Sequence, residues 1–408
     1  MVRISNGVSR DPCELYDCMR YAMRLCRWAG YFPVTGLDQV YHDRIRYLYN
    51  IYHIVTIAGQ ASMCFFSLIW FFDSEITINS ISHIVFYVTG FVSALHIMRL
   101  ARHWPELMRK AADTEQMTNI ITHRSVRRTT CIAYVFMGLA LVEHILCTIF
   151  NIKFAMTCLY ETSITNSVLE DYVVFRMPYI FNYVPYTIFN AILSEFFCMQ
   201  ATFIWSFSDV MIICFSIYVT SYLQSLNRII MYKKHRKSIS WGQLREHYSR
   251  IASLVKAIDA KLNFSILLSL FTDLFFICLQ LFHSLHVLSS PEYSLYYLFS
   301  FLFLLLRTLS LSLFTADIHA AAQEPIFAVY DVPSSEYDME VQRFQSQLRF
   351  TEIAFTGKVF TVTRNMVLQV IGTIITYELV LLQFSVAPDN NSWALFVTDN
   401  TTGKESVI

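Results

Sequence analysis

Hydrophobic and polar positions divide the chain into seven long apolar runs, at roughly 49–72, 80–101, 129–152, 184–224, 263–288, 294–317 and 357–386, separated by polar connections. A helix that crosses a bilayer needs about 20 predominantly apolar residues. Inside hydrocarbon every backbone polar group must be satisfied within its own segment, which leaves helix as the reading for each run. The pattern predicts an all-α membrane protein with seven transmembrane helices. The fourth run is long enough to project well past the membrane. Two connections carry further pattern. Leu100–Met108 places Pro105 after Trp104, which predicts a break and a restarted helix. Trp241–Asp259 sets Leu244, Tyr248, Ile251, Leu254, Val255 and Ile258 at helical spacing beneath a charged face. That stripe needs a partner, either another cytoplasmic helix or a second subunit.

Composition agrees with the pattern. The 408 residues are 55% hydrophobic and 16% aromatic, with a mean hydropathy of +0.43, far too apolar for a soluble globule. Net charge is zero, but its distribution is lopsided. Seven Lys/Arg precede the first run, seven lie between the second and third, nine between the fourth and fifth, and Arg343, Arg349 and Lys358 precede or open the last. The alternate connections hold only Lys153, Arg176 and Lys404. Basic residues stay cytoplasmic, so the amino terminus is expected inside and the carboxyl terminus outside. That is the reverse of a G-protein-coupled receptor. The first 48 residues carry charges throughout and no short apolar core, so the first span is expected to act as an uncleaved insertion signal. Acceptor patterns at Asn390-Asn391-Ser392 and Asn400-Thr401-Thr402 fall in the expected outer tail and make Asn390 and Asn400 candidate glycosylation sites. A third, at Asn263, lies at a cytoplasmic helix start, where it is expected to be inert.

Candidate chemistry is sparse. The chain has no phosphate-cradling glycine loop, nucleophile elbow or paired-cysteine metal motif, and its ten cysteines form no framework. They read as packing thiols, with a disulfide at Cys158 as the alternative. His283 and His286 lie three apart but lack a carboxylate or thiol at matching spacing. No catalytic residue, metal or cofactor is expected, and the architecture excludes nucleic acid as a partner. The run Lys233–Lys237 suits either anionic lipid or a solvated inner face. The outer loop 153–183, rich in acids and aromatics, could cover a pocket mouth.

Ionisable groups inside membranes are the better leads. The expected outer half of the bundle gathers His83, Tyr87, Glu143, His144, Asn190, Ser194, Glu195, Gln280, His283, Tyr296, Tyr297 and Ser300. Of these, Tyr87, Glu143, His144, Asn190, Glu195, Tyr297 and Ser300 are the candidate ligand-binding residues. Carboxylates, amides and hydroxyls interleaved with aromatic rings are what a polyol needs: polar groups for its hydroxyls, rings for its C–H faces. An apolar odorant would not offset the desolvation of two acids. The competing reading is a satisfied interhelical network. Asp209, Asp273, Arg307 and Arg364 lie deeper and read as interhelical ion pairs whose partners the sequence does not specify.

The last run closes on Thr376-Tyr377-Glu378-Leu379-Val380-Leu381-Leu382-Gln383-Phe384. At about 100° per residue, Val380 and Phe384 lie about 40° apart, with Thr373, Thr376, Tyr377 and Gln383 within about 60° of Val380. That mixed face suits a water-filled lumen with a hydrophobic constriction. Glu378 lies about 160° away, pointing back into its own subunit. One helix cannot enclose a pore, so several subunits must contribute it around a symmetry axis.

Thr-Tyr, five residues, then Gln-Phe resembles the signature of the insect gustatory receptors. Leu100–Met108, Phe203–Tyr218, Trp241–Asp259 and the run Thr356–Arg364 resemble the sugar-sensing, trehalose-type branch. The family pattern has hydrophobic residues in the middle five positions; here the first is Glu378. The resemblance implies the insect chemoreceptor channel fold: a sugar-gated, non-selective channel for Na, K and Ca in the plasma membrane of sensory neurons, assembled as a homo- or heterotetramer with related receptors. It implies pore and gate positions at Thr376, Val380, Gln383 and Phe384. The expected organisation is a cytoplasmic segment 1–48, a six-helix ligand-binding bundle 49–317, a cytoplasmic anchor 318–356, a pore-lining helix 357–386 and an extracellular tail 387–408. The alternatives are a seven-helix receptor signalling through G protein, which the charge asymmetry opposes, a sugar transporter, which should show internal symmetry, and an odorant-type ligand-gated channel.

Overall fold

The computed structural model describes residues 13–35, 46–47, 51–118, 124–162, 168–233, 240–284 and 291–385, with side-chain detail for most of them. Twelve helices follow one another: α1 (Glu14–Trp28), α2 (Ile51–Asp73), α3 (Ile78–Thr118), α4 (Arg124–Thr162), α5 (Val168–Arg176), α6 (Pro178–Phe181), α7 (Ile188–Lys233), α8 (Trp241–Ser284), α9 (Pro291–Gln323), α10 (Pro325–Tyr330), α11 (Met339–Phe350) and α12 (Arg364–Ser385). A two-residue antiparallel pairing of Val34–Thr35 with Arg46–Tyr47 completes the described elements. Among the described residues six helices, α2, α3, α4, α7, α8 and α9, are long and apolar enough to cross a membrane. The seventh predicted span falls on α12; its side chains at Glu378, Leu379 and from Leu381 onward lie outside the described residues.

The bundle is organised around α7. Every residue from Ser206 to Thr220 is buried, as befits a helix that is apolar on all sides. It packs against α1, α3, α4, α8 and α9. Two of these, α8 and α9, are tied to α7 by charge in the middle of the bundle. Arg307 of α9 is 1% exposed, and its Nε lies 2.7 Å from Oδ2 of Asp209 on α7. Its second arm reaches Oδ1 of Asp273 on α8 at 3.3 Å, and it donates to Ser206 Oγ at 2.7 Å. Thr308 and the Trp205 indole both donate to Asp273, each at 3.0 Å. The guanidinium lies 4.4 Å from the centre of the Trp205 ring, a cation–π contact away from water. These are the ion pairs the sequence required but could not assign. Arg364 likewise finds Asp317, at 2.7 Å.

The expected break at Pro105 does not occur: α3 runs unbroken for 41 residues with Pro105 inside it. A proline inside a helix removes one backbone donor and crowds the carbonyl four residues earlier. Neighbouring packing offsets this. Trp104 is fully buried, edge-on to Phe32 at 5.1 Å and to Phe215 at 6.1 Å, so the residue before the proline is clamped.

The stripe on Trp241–Asp259 finds its partner within its own chain. Leu244, Tyr248, Ile251, Leu254, Val255 and Ile258 are all buried. Tyr248 meets Phe344 of α11 edge-on at 5.5 Å. It also donates to the carbonyl of Ala322, and Asn227 donates to that of Ala321. Both carbonyls belong to the last turn of α9, where a helix leaves acceptors without intrahelical donors. Outside the bundle, hydrogen bonds from Arg245 and Arg343 hold the Glu340 carboxyl below its usual range and pin α11 to α8.

Helix α1 was not singled out by the sequence reading. Its face of Leu15, Tyr16, Cys18, Met19, Ala22, Met23 and Cys26 is buried against α3, α4 and α7. Burial pushes the thiols of Cys13, Cys18 and Cys26 well up, so they stay protonated packing groups. Cysteines with described side chains are free thiols; the side chain of Cys158 lies outside the described residues. The start of α1 is capped from a distance. Glu115 of α3 accepts the backbone N–H of Glu14 at 2.7 Å and of Leu15 at 3.1 Å, and also the Tyr218 hydroxyl at 2.6 Å. A carboxylate there satisfies orphan donors and faces the positive end of the helix dipole.

Two predictions follow from these contacts. Glu115→Ala should cost about 1–2 kcal/mol, the range of a lost helix cap. In the purified protein trypsin should then cut at Arg20 and Arg24 faster than in wild type; unchanged cleavage would deny the cap its role. Arg307→Met should cost about 3–5 kcal/mol, because two buried carboxylates lose their counter-charge. Size-exclusion chromatography should show the loss of monodisperse protein, and adding Asp209→Asn with Asp273→Asn should restore much of it.

Candidate functional site

At the end of the bundle that carries α5 and α6, polar and aromatic groups meet in two groups joined by rings. The first is built under the α5–α6 cap. Pro178 opens α6 at the position where a missing N–H costs nothing, and this short turn drops Tyr179 into the bundle. The Tyr179 hydroxyl meets that of Tyr87 on α3 at 2.5 Å, both side chains being buried. The His83 ring lies 4.9 Å from Tyr179 and 5.7 Å from Trp70 of α2. At the end of α5, Arg176 reaches Oε1 of Glu195 on α7 at 2.5 Å and the Tyr172 hydroxyl at 2.8 Å. Its side chain is 12% exposed, against 37% for Glu195. The latch therefore sits partly out of water, where a charge-assisted bond is stronger than on an open surface.

The second group lies between α4, α8 and α9. Ser300 donates to Oε1 of Glu143 at 2.6 Å, and Gln280 donates to Ser300 Oγ at 3.1 Å. Glu143 is also within electrostatic reach of Arg307, which connects this group to the central ion cluster. The link back to the first group is aromatic. Phe86 meets Tyr87 at 5.0 Å and Trp205 at 6.0 Å, and Trp205 in turn lies against Phe276 at 4.8 Å and beneath Arg307. Tyr296 stacks on Phe150 at 5.5 Å, with ring planes 11° apart.

The sequence-predicted residues divide accordingly. Tyr87 and Glu195 come together around Tyr179 and Arg176; Glu143 and Ser300 bond directly, with Tyr297 one turn earlier on α9. Asn190 stands apart, its side-chain amide donating to Pro185 O at 3.1 Å at the start of its own helix. His144 borders a groove of about 220 Å³ shared with Trp28, Tyr52, Phe196, Gln200 and Phe203. The side chain of His283, and His286 entirely, lie outside the described residues, as do Asn390, Asn400 and the side chains of Gln383 and Phe384. Groups of three or more His, Cys, Asp or Glu able to hold a metal are absent among the described residues. Arg176, Tyr172 and Tyr179 were missed by the sequence reading. Arg176 had left a signal, as one of only three basic residues in the expected outer connections.

The arrangement suits recognition and not bond-making. In one group Gln280, Ser300 and Glu143 form a hydrogen-bonded chain; in the other Arg176 donates to both Glu195 and Tyr172. Each acid already has a donor, Ser300 for Glu143 and Arg176 for Glu195.

The family described as trehalose receptor matches residues 13–393. Gustatory receptor 5a for trehalose of Drosophila melanogaster is 31% identical over 328 residues, covering 78% of this chain and 72% of that protein. Gustatory receptor for sugar taste 64f of the same organism is 30% identical over 373 residues, covering 88% and 78%. The structure of the insect olfactory receptor OR5 from Machilis hrabei in complex with eugenol superposes with a TM-score of 0.68 over 91% of this chain and 99% of that one, at 14% identity, a likeness of fold. The chain therefore belongs to the trehalose receptor family, multi-pass membrane chemoreceptors and not enzymes, and carries the insect chemoreceptor channel fold.

Proposed function

We propose that this chain is a subunit of a sugar-gated, non-selective cation channel, with its amino terminus in the cytoplasm and its carboxyl terminus outside. Extracellular sugar binds in the layer formed by Glu143, Ser300, Tyr87 and Glu195, with Tyr297 and His144 at its margins. Differential affinity for the open state then shifts the equilibrium. The last helix of each of four subunits, identical or related, lines a central pore for Na, K and Ca.

The observation that carries this reading is the exposure of α12. The helix packs on α8 and α9 through its face of Val367, Val370, Ile371 and Ile374. Gln369, Thr373, Thr376 and Val380 are all exposed in the single chain and lie within about 60° of one another around the helix. The hydroxyls of Thr373 and Thr376 fold back onto the carbonyls of Gln369 and Gly372, both at 2.9 Å. The exposed arc of α12 also holds Leu368 and Ile375, which suit lipid; the stripe beside them, mixing an amide, two hydroxyls and an aliphatic group, fits a wet lumen. By register Glu378 falls on the packing face, about 20° from Ile371. Gln383 and Phe384 continue the stripe, and the Val380–Phe384 ring forms the constriction.

Sugar-evoked current in a heterologous cell tests the reading directly. Mono- and disaccharides should open a cation conductance; silence to all of them, alone or with a co-expressed relative, would sink the proposal. Glu143→Gln and Ser300→Ala should each raise the half-maximal sugar concentration about tenfold, the worth of a hydrogen bond to a charged group, at unchanged surface expression. Phe384→Ala should raise basal current, and a variant that stays closed at rest would remove Phe384 from the gate.

A further inference from the structure

A cavity of about 500 Å³ opens between α3, α8 and the turn that precedes α12. It is separate from the polar layer and lies at the opposite end of the spans. Three fixed cations from three elements converge on it: Arg99 of α3, Lys261 of α8 and Lys358 of the turn, with His96 and Asn263 beside them. Among the described residues no carboxylate forms an ion pair with any of the three cations. Two acids close by in sequence have other partners: Glu106 faces His103 at 3.6 Å, and Asp259 accepts from Thr356.

Lys358 is held in the cavity by construction. Its φ is +64°, the left-handed region that side chains with a β-carbon rarely adopt. The turn around it is braced by Gly357 N–H donating to Phe360 O at 2.8 Å, and by Thr356, whose N–H and hydroxyl donate to the two oxygens of Asp259 at 2.7 and 2.8 Å. A β-carbon at Gly357 would meet the Phe360 ring at 2.2 Å, so the tight bend requires glycine. The Lys358 ammonium ends 4.6 Å from the centre of the Phe264 ring. Backbone strain maintained by surrounding contacts is a mark of function; here it delivers a cation to a cavity that already holds two. Val92 and Leu95 line the cavity a turn or two before Arg99 on α3, toward the middle of that helix, and Leu95 is 44% exposed. The lining is cationic at one end and apolar at the other.

We propose that this cavity is a binding site for the phosphate-bearing headgroup of an anionic phospholipid, seated with its acyl chains along the α3–α8 groove. Three cations suit a headgroup with more than one phosphate, and basic pockets between helices at a cytoplasmic boundary are suited to such lipids. The apolar wall favours a lipid over free phosphate. The site rests on the orientation proposed above only for its leaflet; binding in detergent solution reads the cavity whichever face it occupies.

The test uses the purified full chain in a neutral detergent and a fluorescent short-chain phosphatidylinositol bisphosphate, followed by polarisation. Binding should be saturable and should weaken with added salt. The combined variant Arg99→Gln, Lys261→Gln, Lys358→Asn should bind at least tenfold more weakly, while Lys256→Gln with Arg349→Gln, two exposed cations elsewhere, should bind as wild type. Asparagine tolerates the left-handed turn, so Lys358→Asn alone, expected at about threefold weaker binding, serves if the combined variant does not elute as wild type. Unlabelled phosphatidylcholine, inorganic phosphate and inositol trisphosphate should compete at least tenfold less well than the unlabelled lipid. Equal competition by inorganic phosphate or inositol trisphosphate would overturn the lipid assignment. Equal competition by phosphatidylcholine, or unchanged binding by the variants, would overturn the site.

Discussion

The interaction on which this bundle depends is the contact of Arg307 with Asp209 and Asp273. Hydrophobic burial is a weak guide to how helices assemble in lipid, because the tails around a helix are as apolar as its side chains. A guanidinium in mid-bundle is directional where aliphatic packing is not. It fixes the depth of α9 against α7 and α8 at once, since a slip of one turn would strand three charges without partners. The assembly around it is cooperative in this sense: Trp205, Ser206 and Thr308 each bond to the cluster and each also helps to pack one of the three helices. Buried ion clusters are poor sources of net stability but good sources of register.

The proposed ligand layer inherits its geometry from that cluster. Trp205 is shared: one face carries Arg307, and its edge meets Phe86, which carries the contact on to Tyr87. Glu143, hydrogen-bonded to Ser300 and through it to Gln280, is also within electrostatic reach of Arg307. A ligand that rearranged the bonds of Glu143 or Glu195 would therefore act on side chains already wired to the three central helices. Of these, α8 and α9 are the ones on which α12 rests. The route from the layer to the last helix is short and made of packed contacts, the physical requirement for a coupled transition.

How much of this was legible in the sequence depends on whether a feature is local. The apolar runs and the stripe of Leu244, Tyr248, Ile251, Leu254, Val255 and Ile258 are periodic patterns, and periodicity survives in one dimension. Asp209, Asp273 and Arg307 could be recognised as needing partners, because an unpaired charge in hydrocarbon is untenable, but pairing is a property of the assembled bundle. Arg176 and Glu195 are 19 residues apart, yet the turn at Pro178 had to be known before they could be joined. Pro105 misled because helix propensity is a local prior that tertiary clamping of Trp104 overrides. The capping of α1 by Glu115 was invisible for the same reason: a cap is sought a few residues away, and this one comes from 100 residues along the chain.

The turn at Gly357-Lys358 joins the bundle to α12. The bundle hands over to α12 through a few residues that hold no regular structure apart from the pairing of Thr356 with Thr361. Such a joint could have been slack. Instead Asp259 grips Thr356 on one side and Arg364 reaches Asp317 on the other, so α12 starts from a fixed point on α8 and α9. In the proposed channel, movement of those two helices would reach the base of α12 through these contacts. The same fixed point carries Lys358 in its left-handed conformation. An anion bound by Arg99, Lys261 and Lys358 would join α3 to the joint as well, placing a third helix of the ligand-binding bundle in mechanical contact with the proposed pore. A tight, strained and multiply anchored turn makes sense at that position if the position has to bear load.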